Sequence, residues 1–593
     1  MVRSTSSTSA REPSRSKDQR SADLDGAVRE RVLFRRNRMR RVLRTTGLMI
    51  VAGSLAVGAQ QSGALHPVSN QDVIDGLKDP TRWLTFGGNY SNHRFSPLTH
   101  ITPRNVDGLR PQWLFQTEVP APGRGFETTP LVVDGVMYVT GNQNTAWALD
   151  ARTGRRIWSY RRKLPDLMRV CCGMVNRGFA VLGDRLYMGT LDAHLVALDR
   201  RTGAEVWDSI VEEPKNGYAI TLAPLVVKNK VVVGVAGGDY ATRGFIDAYD
   251  AETGKRAWRF YTVPGKGERG SESWPGGEEM ARGGGGVWTT GAYDPVLNLV
   301  YFGTGNPNPD YWGDDRAGDN LYTCALVALD ADTGALRWHF QFTPHDIHDW
   351  DAAQVPVLGD ISFGARTRKV VMFANRNGFF YTLDRENGQM LVAKPFTATN
   401  WARQIGPDGR PVVLENVGTR EKCLPDQRGG TNFMPPSFDP VRQLFFVTAR
   451  ETCVTWVFER PATITPGGPA PSGGARRFEG GPEQYSALRA IDPTTGELRW
   501  EHRFRGYPSQ ITLDLSGGAT STASGLVFGG DNDGYLNAFD STTGKLLWQF
   551  QTGAPIWGAP PITYMLDGRQ WVVVPSGVTI TAFALPGGSR ATR

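Results

Sequence analysis

Short stretches of alternating apolar and polar residues recur along the chain, and each stops at an aspartate in one local context, Ala-x-Asp-x-x-Thr-Gly-x-x-x-Trp. The context occurs as ALDARTGRRIW at 148–158, ALDRRTGAEVW at 197–207 and AYDAETGKRAW at 248–258. It returns as ALDADTGALRW at 328–338, AIDPTTGELRW at 490–500 and AFDSTTGKLLW at 538–548. A degenerate copy, TLDRENGQML, covers 382–391, and Ala582-Phe583-Ala584 reads as a truncated eighth. The period of two predicts a strand up to the aspartate, a turn closed by Thr-Gly or Asn-Gly, and a second strand leading to the tryptophan. Glycine supplies the positive φ of the turn, and the aspartate caps its amides. A tryptophan recurring at one phase packs between neighbouring units.

Units of about 45–55 residues with several short strands predict an all-β fold, an eight-bladed β-propeller of four-stranded blades. That reading overrides the several domains a 593-residue length would otherwise suggest. The truncated last copy lacks its tryptophan strand. Pro111-Gln112-Trp113-Leu114-Phe115 is placed to supply it and close the ring, leaving no open edge. Two spacings are long, Asp250 to Asp330 and Asp384 to Asp492, and predict loops on the functional face. Residues 462–484, rich in Pro and Gly, read as an exposed loop.

Charge alters the picture at one end only. The formal net charge is +7, but residues 1–46 hold thirteen Arg or Lys against five Asp or Glu, a surplus of eight that leaves −1 for the remainder. The near-neutral body predicts no nucleic-acid surface. A basic stretch ending in Met39-Arg40-Arg41-Val42-Leu43-Arg44, the apolar run Gly47–Ala59 and the small residues Val57-Gly58-Ala59 read as an export signal. An uncleaved anchor is the alternative, and Met39 is an alternative start. The expected organisation is a basic extension and signal over 1–59 and a propeller over 60–593, in the periplasm. An oxidising compartment suits disulfides.

Outside the repeat, RVCCGMVNRG at 169–178 holds adjacent cysteines. Joined to each other, Cys171 and Cys172 would close a strained eight-membered ring that no fold requires, which points to a functional role; two buried thiols in a strand are the ordinary alternative. Trp288, after the run Gly283-Gly284-Gly285-Gly286, lies out of phase with the repeat tryptophans, where glycine lets backbone approach closely. Together with the repeat, the motifs CCGMVNRG, GTGNP, HDWD, NRNG and GGDNDGYL occur in an order that resembles the quinoprotein alcohol dehydrogenases of the methanol/ethanol dehydrogenase type, over about Trp83 to Gly577.

The resemblance implies pyrroloquinoline quinone (PQQ) on the propeller axis over a metal ion. Trp288 would be the floor under the quinone and the Cys171–Cys172 disulfide its ceiling. Arg177 would bind a cofactor carboxylate, Arg376 the quinone oxygens, and Glu127, Thr221 and Asn432 the ring edge, with Gly237 and Gly238 also in contact. Asp239, Asn306 and Asp351 would hold the metal. The family usually carries Glu where Asp239 stands, one methylene longer, which puts bidentate coordination there in doubt. Lanthanide-dependent relatives carry a further Asp two positions after the catalytic one; that position here is Ala353, which favours Ca²⁺ over a lanthanide. Asp351 would be the general base, the metal the Lewis acid, and hydride would pass to the quinone C5, giving an aldehyde or ketone.

His345 and His348 flank this aspartate, but oxygen partners argue against a histidine metal site. Tyr311 and Trp312 are the expected pocket wall. The resemblance also implies a second disulfide, Cys423–Cys453, and leaves Cys324 as a buried free thiol in a strand. No CxxCH occurs, so a covalently attached haem is not expected and electrons would leave to a separate soluble cytochrome c. The competing class is a non-catalytic propeller scaffold of the outer-membrane assembly type. Such a scaffold needs the repeat but has no use for the cysteine pair, Asn306, Asp351 and Arg376 together. A homodimer is left open, as is the alcohol.

Overall fold

The computed structural model describes residues 65–119, 125–166, 168, 170–414, 420–461, 474–477, 484–504 and 516–587. The signal and extension expected over 1–59 lie outside them. The described residues belong to one compact unit, Ala64–Arg593. Among them no helix is long and apolar enough to cross a membrane.

Eight blades of four antiparallel strands follow one another in chain order, as the repeat predicts, and Phe95–Ser96 adds a short parallel strand to one of them. Blades 1 to 5 span 131–161, 180–210, 225–261, 292–341 and 357–395; blade 6 spans 437–503 and blade 7 spans 519–551. Blade 8 takes three strands from 562–584 and its fourth from Arg110–Gln116 near the start of the chain, with Trp113 opposite Ala582. That closes the ring. Within a blade, the inner strands are buried on both faces, as in Leu131–Val133 and Val136–Gly141, and read as apolar runs. The outer strands alternate, as in Glu205–Ile210.

Each repeat motif turns the third strand of a blade into its fourth. Asp250 Oδ1 accepts from the amides of Glu252 and Thr253 at 3.2 and 2.8 Å, and Gly254 turns at φ +69°. In the strand pairing, the repeat Ala faces the repeat Trp, as Ala328 faces Trp338, so a small residue makes room for the indole. The tryptophan then docks on the turn of the next blade. Trp158 Nε1 donates to Arg200 O at 3.0 Å, Trp258 to Ala331 O at 3.2 Å and Trp338 to Arg385 O at 3.2 Å. A Cβ on the receiving turn glycines, Gly203, Gly334 and Gly388, would stand 2.6–2.7 Å from those rings. Trp113 docks in the same way on blade 1, through Ala151 O at 3.3 Å.

A strap over 68–96 was not expected from the repeat. It runs along the inner strands and bonds to seven blades: Trp83 pairs with Val132, Val68 with Gly183, and Tyr293, Leu358, Phe438 and Ser521 donate to Tyr90, Ser91, His93 and Arg94, while Met565 donates to Pro80. The long spacing from Asp384 to Asp492 carries a hairpin, Ala402–Ile405 with Pro411–Val413, and a three-stranded sheet of Arg420–Cys423 with Val454–Phe458 and Gly474–Arg477, the last two inserted between the second and third strands of blade 6. The region expected as a loop over 462–484 therefore includes a strand at 474–477, because those residues pair with Thr455 to Phe458; the rest lies outside the described residues.

Candidate functional site

The segments that lead into the innermost strands, and those that follow the second strands, converge on the axis. They are tied to one another by backbone bonds: Thr129 N to Arg177 O, Arg177 N to Thr221 O, Gly305 N to Gly286 O, Ala352 N to Thr304 O and Gly430 N to Arg376 O. This ring of loops gathers nearly every residue expected at the site.

On one side stands Arg177. Its Nη2 lies 2.6 Å from the fully buried Glu127 carboxylate, and Nη1 donates to Thr221 Oγ1 at 2.9 Å and to Trp288 O at 3.2 Å. The guanidinium carbon lies 4.9 Å from the centre of the Trp288 ring. On the other side stands Arg376, 5.5 Å from the same ring. Arg376 donates to Asp349 O at 2.7 Å and to Asn432 Oδ1 at 3.3 Å, and its Nη2 lies 3.1 Å from Asp351 Oδ2. Asp351 joins the halves. Its Oδ2 accepts from Trp288 Nε1 at 3.0 Å and its Oδ1 from the Asn306 amide at 2.5 Å. Glycine permits the approach, since a Cβ at Gly305 would stand 2.9 Å from Asp351 Oδ1.

Asp239 sits on the short turn Gly238–Tyr240, and a Cβ on Gly238 would be 4.0 Å from Asn306 Oδ1. Burial, with the Asp351 carboxylate adding to it, pushes the Asp239 carboxyl up to about 6. Asp349 is raised well above the usual carboxylate range, first by burial and then by Asp351, Asp310 and Asp239, with Arg376 opposing. Asp310 is raised likewise by burial and by Asp239 and Asp351. Four carboxylates thus crowd one another, with Asp239, Asp349 and Asp351 acting on the Arg376 guanidinium and Asp310 nearer Arg316. Among the described residues, no three His, Cys, Asp or Glu side chains form a ready metal cage; the Asn306 amide oxygen is the neutral donor of the set.

The family profile for the PQQ-containing β-propeller domain of glucose, ethanol and alcohol dehydrogenases matches residues 83–395 and 416–572. The chain belongs to the quinoprotein alcohol dehydrogenase family. The quinoprotein alcohol dehydrogenase PedH of Pseudomonas putida is 38% identical over 561 residues, covering 89% of this chain and 92% of that protein. A lanthanide-dependent methanol dehydrogenase of Methylacidiphilum fumariolicum is 36% identical, covering 86% and 87%. The crystal structure of the quinohemoprotein alcohol dehydrogenase of Comamonas testosteroni superposes with a TM-score of 0.80 at 35% identity, covering 86% of this chain and 81% of that one.

Among quinoprotein alcohol dehydrogenase features, Cys171 and Cys172 are joined to each other, with Cys172 at φ +70°. Cys324 is buried, but in the turn before the strand Ala325–Asp330 rather than in a strand, its φ of +47° departing from extended backbone. The Cys423–Cys453 pairing falls outside the described side chains, since that of Cys423 is not among them; the register sets Cys423 opposite Val454. Tyr311 reaches the site, donating to Asp349 Oδ2 at 3.2 Å. His348 serves packing: its ring stacks on Trp350 at 4.3 Å and meets Trp456 edge-on at 5.7 Å.

Asp349 and Asp310 are the residues that sequence reasoning missed. The first was legible as the other carboxylate of Asp349-Trp350-Asp351. The second, four residues after Asn306 on an irregular loop, carried no periodic signal.

Proposed function

We propose that this protein is an exported, periplasmic enzyme that oxidises an alcohol to an aldehyde or ketone, using PQQ and a metal ion and passing electrons to a separate cytochrome c. The observation that carries the reading is the convergence of Trp288, Arg376, Asn306 and Asp351 at one point on the axis. The donor set fits both groups. A flat anionic quinone needs an aromatic surface and cations, and Arg177 and Arg376 stand against Trp288; Arg376 Nε is buried without a hydrogen-bond partner among the described residues. A hard cation needs oxygens, and Asp239, Asn306 and Asp351 offer them beside further carboxylates.

When bound, PQQ and its metal supply the two-electron acceptor and the Lewis acid. The chain's own residues hold the geometry. Arg177, held by Glu127 and Thr221, offers charge to a cofactor carboxylate. Arg376 fixes the Asp349 and Asp351 side chains relative to each other. Asp351, held between Arg376 and the Trp288 N–H, is placed to take the hydroxyl proton as general base.

A second reading of the base follows from one observation. Both Asp351 oxygens already accept hydrogen bonds, and the residue faces the Asn306 side of the site; Asp349 is the more loosely held, with Oδ1 3.3 Å from Arg376 and Oδ2 meeting only Tyr311 among the described residues. In that reading Asp349 takes the proton and Asp351 remains a ligand. The metal divides similarly. Ala353 favours Ca²⁺, whereas the crowding of Asp239, Asp310, Asp349 and Asp351 suits a trivalent ion, and a lanthanide-dependent relative is among the similar proteins.

Reconstitution tests this. Protein made without PQQ, supplied with PQQ and either Ca²⁺ or La³⁺, should oxidise members of a panel of primary and secondary alcohols in a dye-linked assay. Preference for one metal decides the ion. No PQQ uptake with either metal would sink the reading in favour of a scaffold.

A further inference from the structure

The loop after Asn306 carries more oxygen donors than Asn306 alone. Asp310 is 4% exposed, and its Oδ1 accepts from Asn306 Nδ2 at 2.8 Å and from Asn308 Nδ2 at 3.5 Å. No cationic side chain lies within ion-pair distance of it among the described residues; the buried Arg316, whose charge opposes its shift, spends its hydrogen bonds on Asn320 Oδ1 and on Pro309 O. Asn308, also 4% exposed, donates from the same Nδ2 to Gly238 O at 3.3 Å, the residue before Asp239. Both contacts of that amide are to acceptors, so its nitrogen must face them and its oxygen must face away. Asn308 Oδ1 is buried and finds no hydrogen-bond partner among the described residues. An orphaned amide oxygen and a buried carboxylate without a direct ion pair, side by side, are groups whose burial is costly until a cation or donor meets them.

We propose that Asp310, with Asn308 Oδ1, completes the oxygen shell of the site's cation, supplying the reach that the short side chain of Asp239 lacks. The assignment rests on the metal-dependent reading above. Asn306 is then held from behind by Asp310 Oδ1, which orients its own Oδ1 toward Gly238 and Asp239, while the second Asp310 oxygen remains for the ion. Asp239 and Asp310 approach from two different loops, so the loss of one is compensated by lengthening the other.

The test is the affinity of the PQQ-saturated full-length protein for Ca²⁺ and for La³⁺, measured calorimetrically. Asp310→Asn preserves size and removes the charge. It should weaken metal binding at least about 10-fold, more for La³⁺ than for Ca²⁺. Adding Asp239→Glu to Asp310→Asn should recover most of that loss, which a residue that only orients Asn306 would not allow. Should Asp310→Asn fail to fold, Asn308→Ala carries the test, with a loss of about 3–10-fold expected. Asp310→Asn binding both metals within about 2-fold of the parent, or a loss untouched by Asp239→Glu, overturns the assignment while leaving the enzyme. A parent protein that takes up neither PQQ nor metal overturns both.

Discussion

At the rim of the propeller most blades do the same thing, and at the axis each does something different. Trp113, Trp158, Trp258, Trp338 and Trp500 each donate to a carbonyl in the turn of the next blade at 3.0–3.3 Å. On the axis, by contrast, blades 1 to 6 contribute Glu127, Arg177, Asp239, Trp288, Asp351 and Asn432 from loops of unequal length. The identical contacts build the ring, and the departures from identity build the site. Trp288 leads into blade 4 and Trp338 lies on its last strand, yet one faces two arginines and the other packs a junction.

That contrast predicts a double dissociation. The largest expected effect is Asp351→Ala, with kcat for alcohol oxidation lowered about 10²- to 10⁴-fold and the melting temperature nearly unchanged. Asp349→Ala in the same assay decides between the two readings of the base. Should Asp351→Ala retain most activity while Asp349→Ala loses it, the proton passes to Asp349. A rim residue should behave the other way. Trp338→Ala removes a buried indole and its bond to Arg385 O, and should cost about 3–5 kcal/mol in denaturant unfolding, with PQQ affinity retained under folding conditions. Loss of PQQ affinity without loss of stability would break the division between rim and axis.

The rim was legible in the sequence because it repeats. Six copies of one turn-and-tryptophan context fix strand, turn and partner together, and even the closure by Trp113 follows from the missing strand of the last copy. The degenerate copy shows the limit: blade 5 offers Val392 and Lys394 to Gly496 where a tryptophan would stand. The site was legible only through resemblance, since its residues occur once each and lie on loops. Asp310 and the strap over 68–96 escaped for the same physical reason. Neither has a period; the strap gains its partners from residues hundreds of positions away, as Asn92 Nδ2 does from Gly291 O and Pro356 O, and Asp310 comes beside Asp239 and Asp351 only once the loops fold together.

The strap gives the smallest effect and the finest test, because it touches the inner strands without belonging to the site. His93 Nε2 meets Leu358 O at 2.6 Å, and its ring lies 5.5 Å from Phe438. Burial lowers its pKa to about 4, with Arg385 adding to the shift and the Leu358 bond and Asp360 opposing it. Unfolded, the ring titrates near the ordinary 6.5, so between these values the unfolded chain binds the proton and the folded one does not. Stability from this group is therefore complete above about pH 6.5 and is lost as pH falls toward 4, by up to about 2–3 kcal/mol. His93→Gln, which keeps a donor for Leu358 O and cannot titrate, should flatten that slope in denaturant unfolding followed from pH 7 to pH 4.5. At pH 7 its turnover with PQQ and metal should match the parent, because the strap holds the ring and not the reacting groups. Equal slopes in parent and variant would show that the strap's contribution to acid sensitivity comes from elsewhere, and reduced turnover at pH 7 would tie the strap to the axis after all.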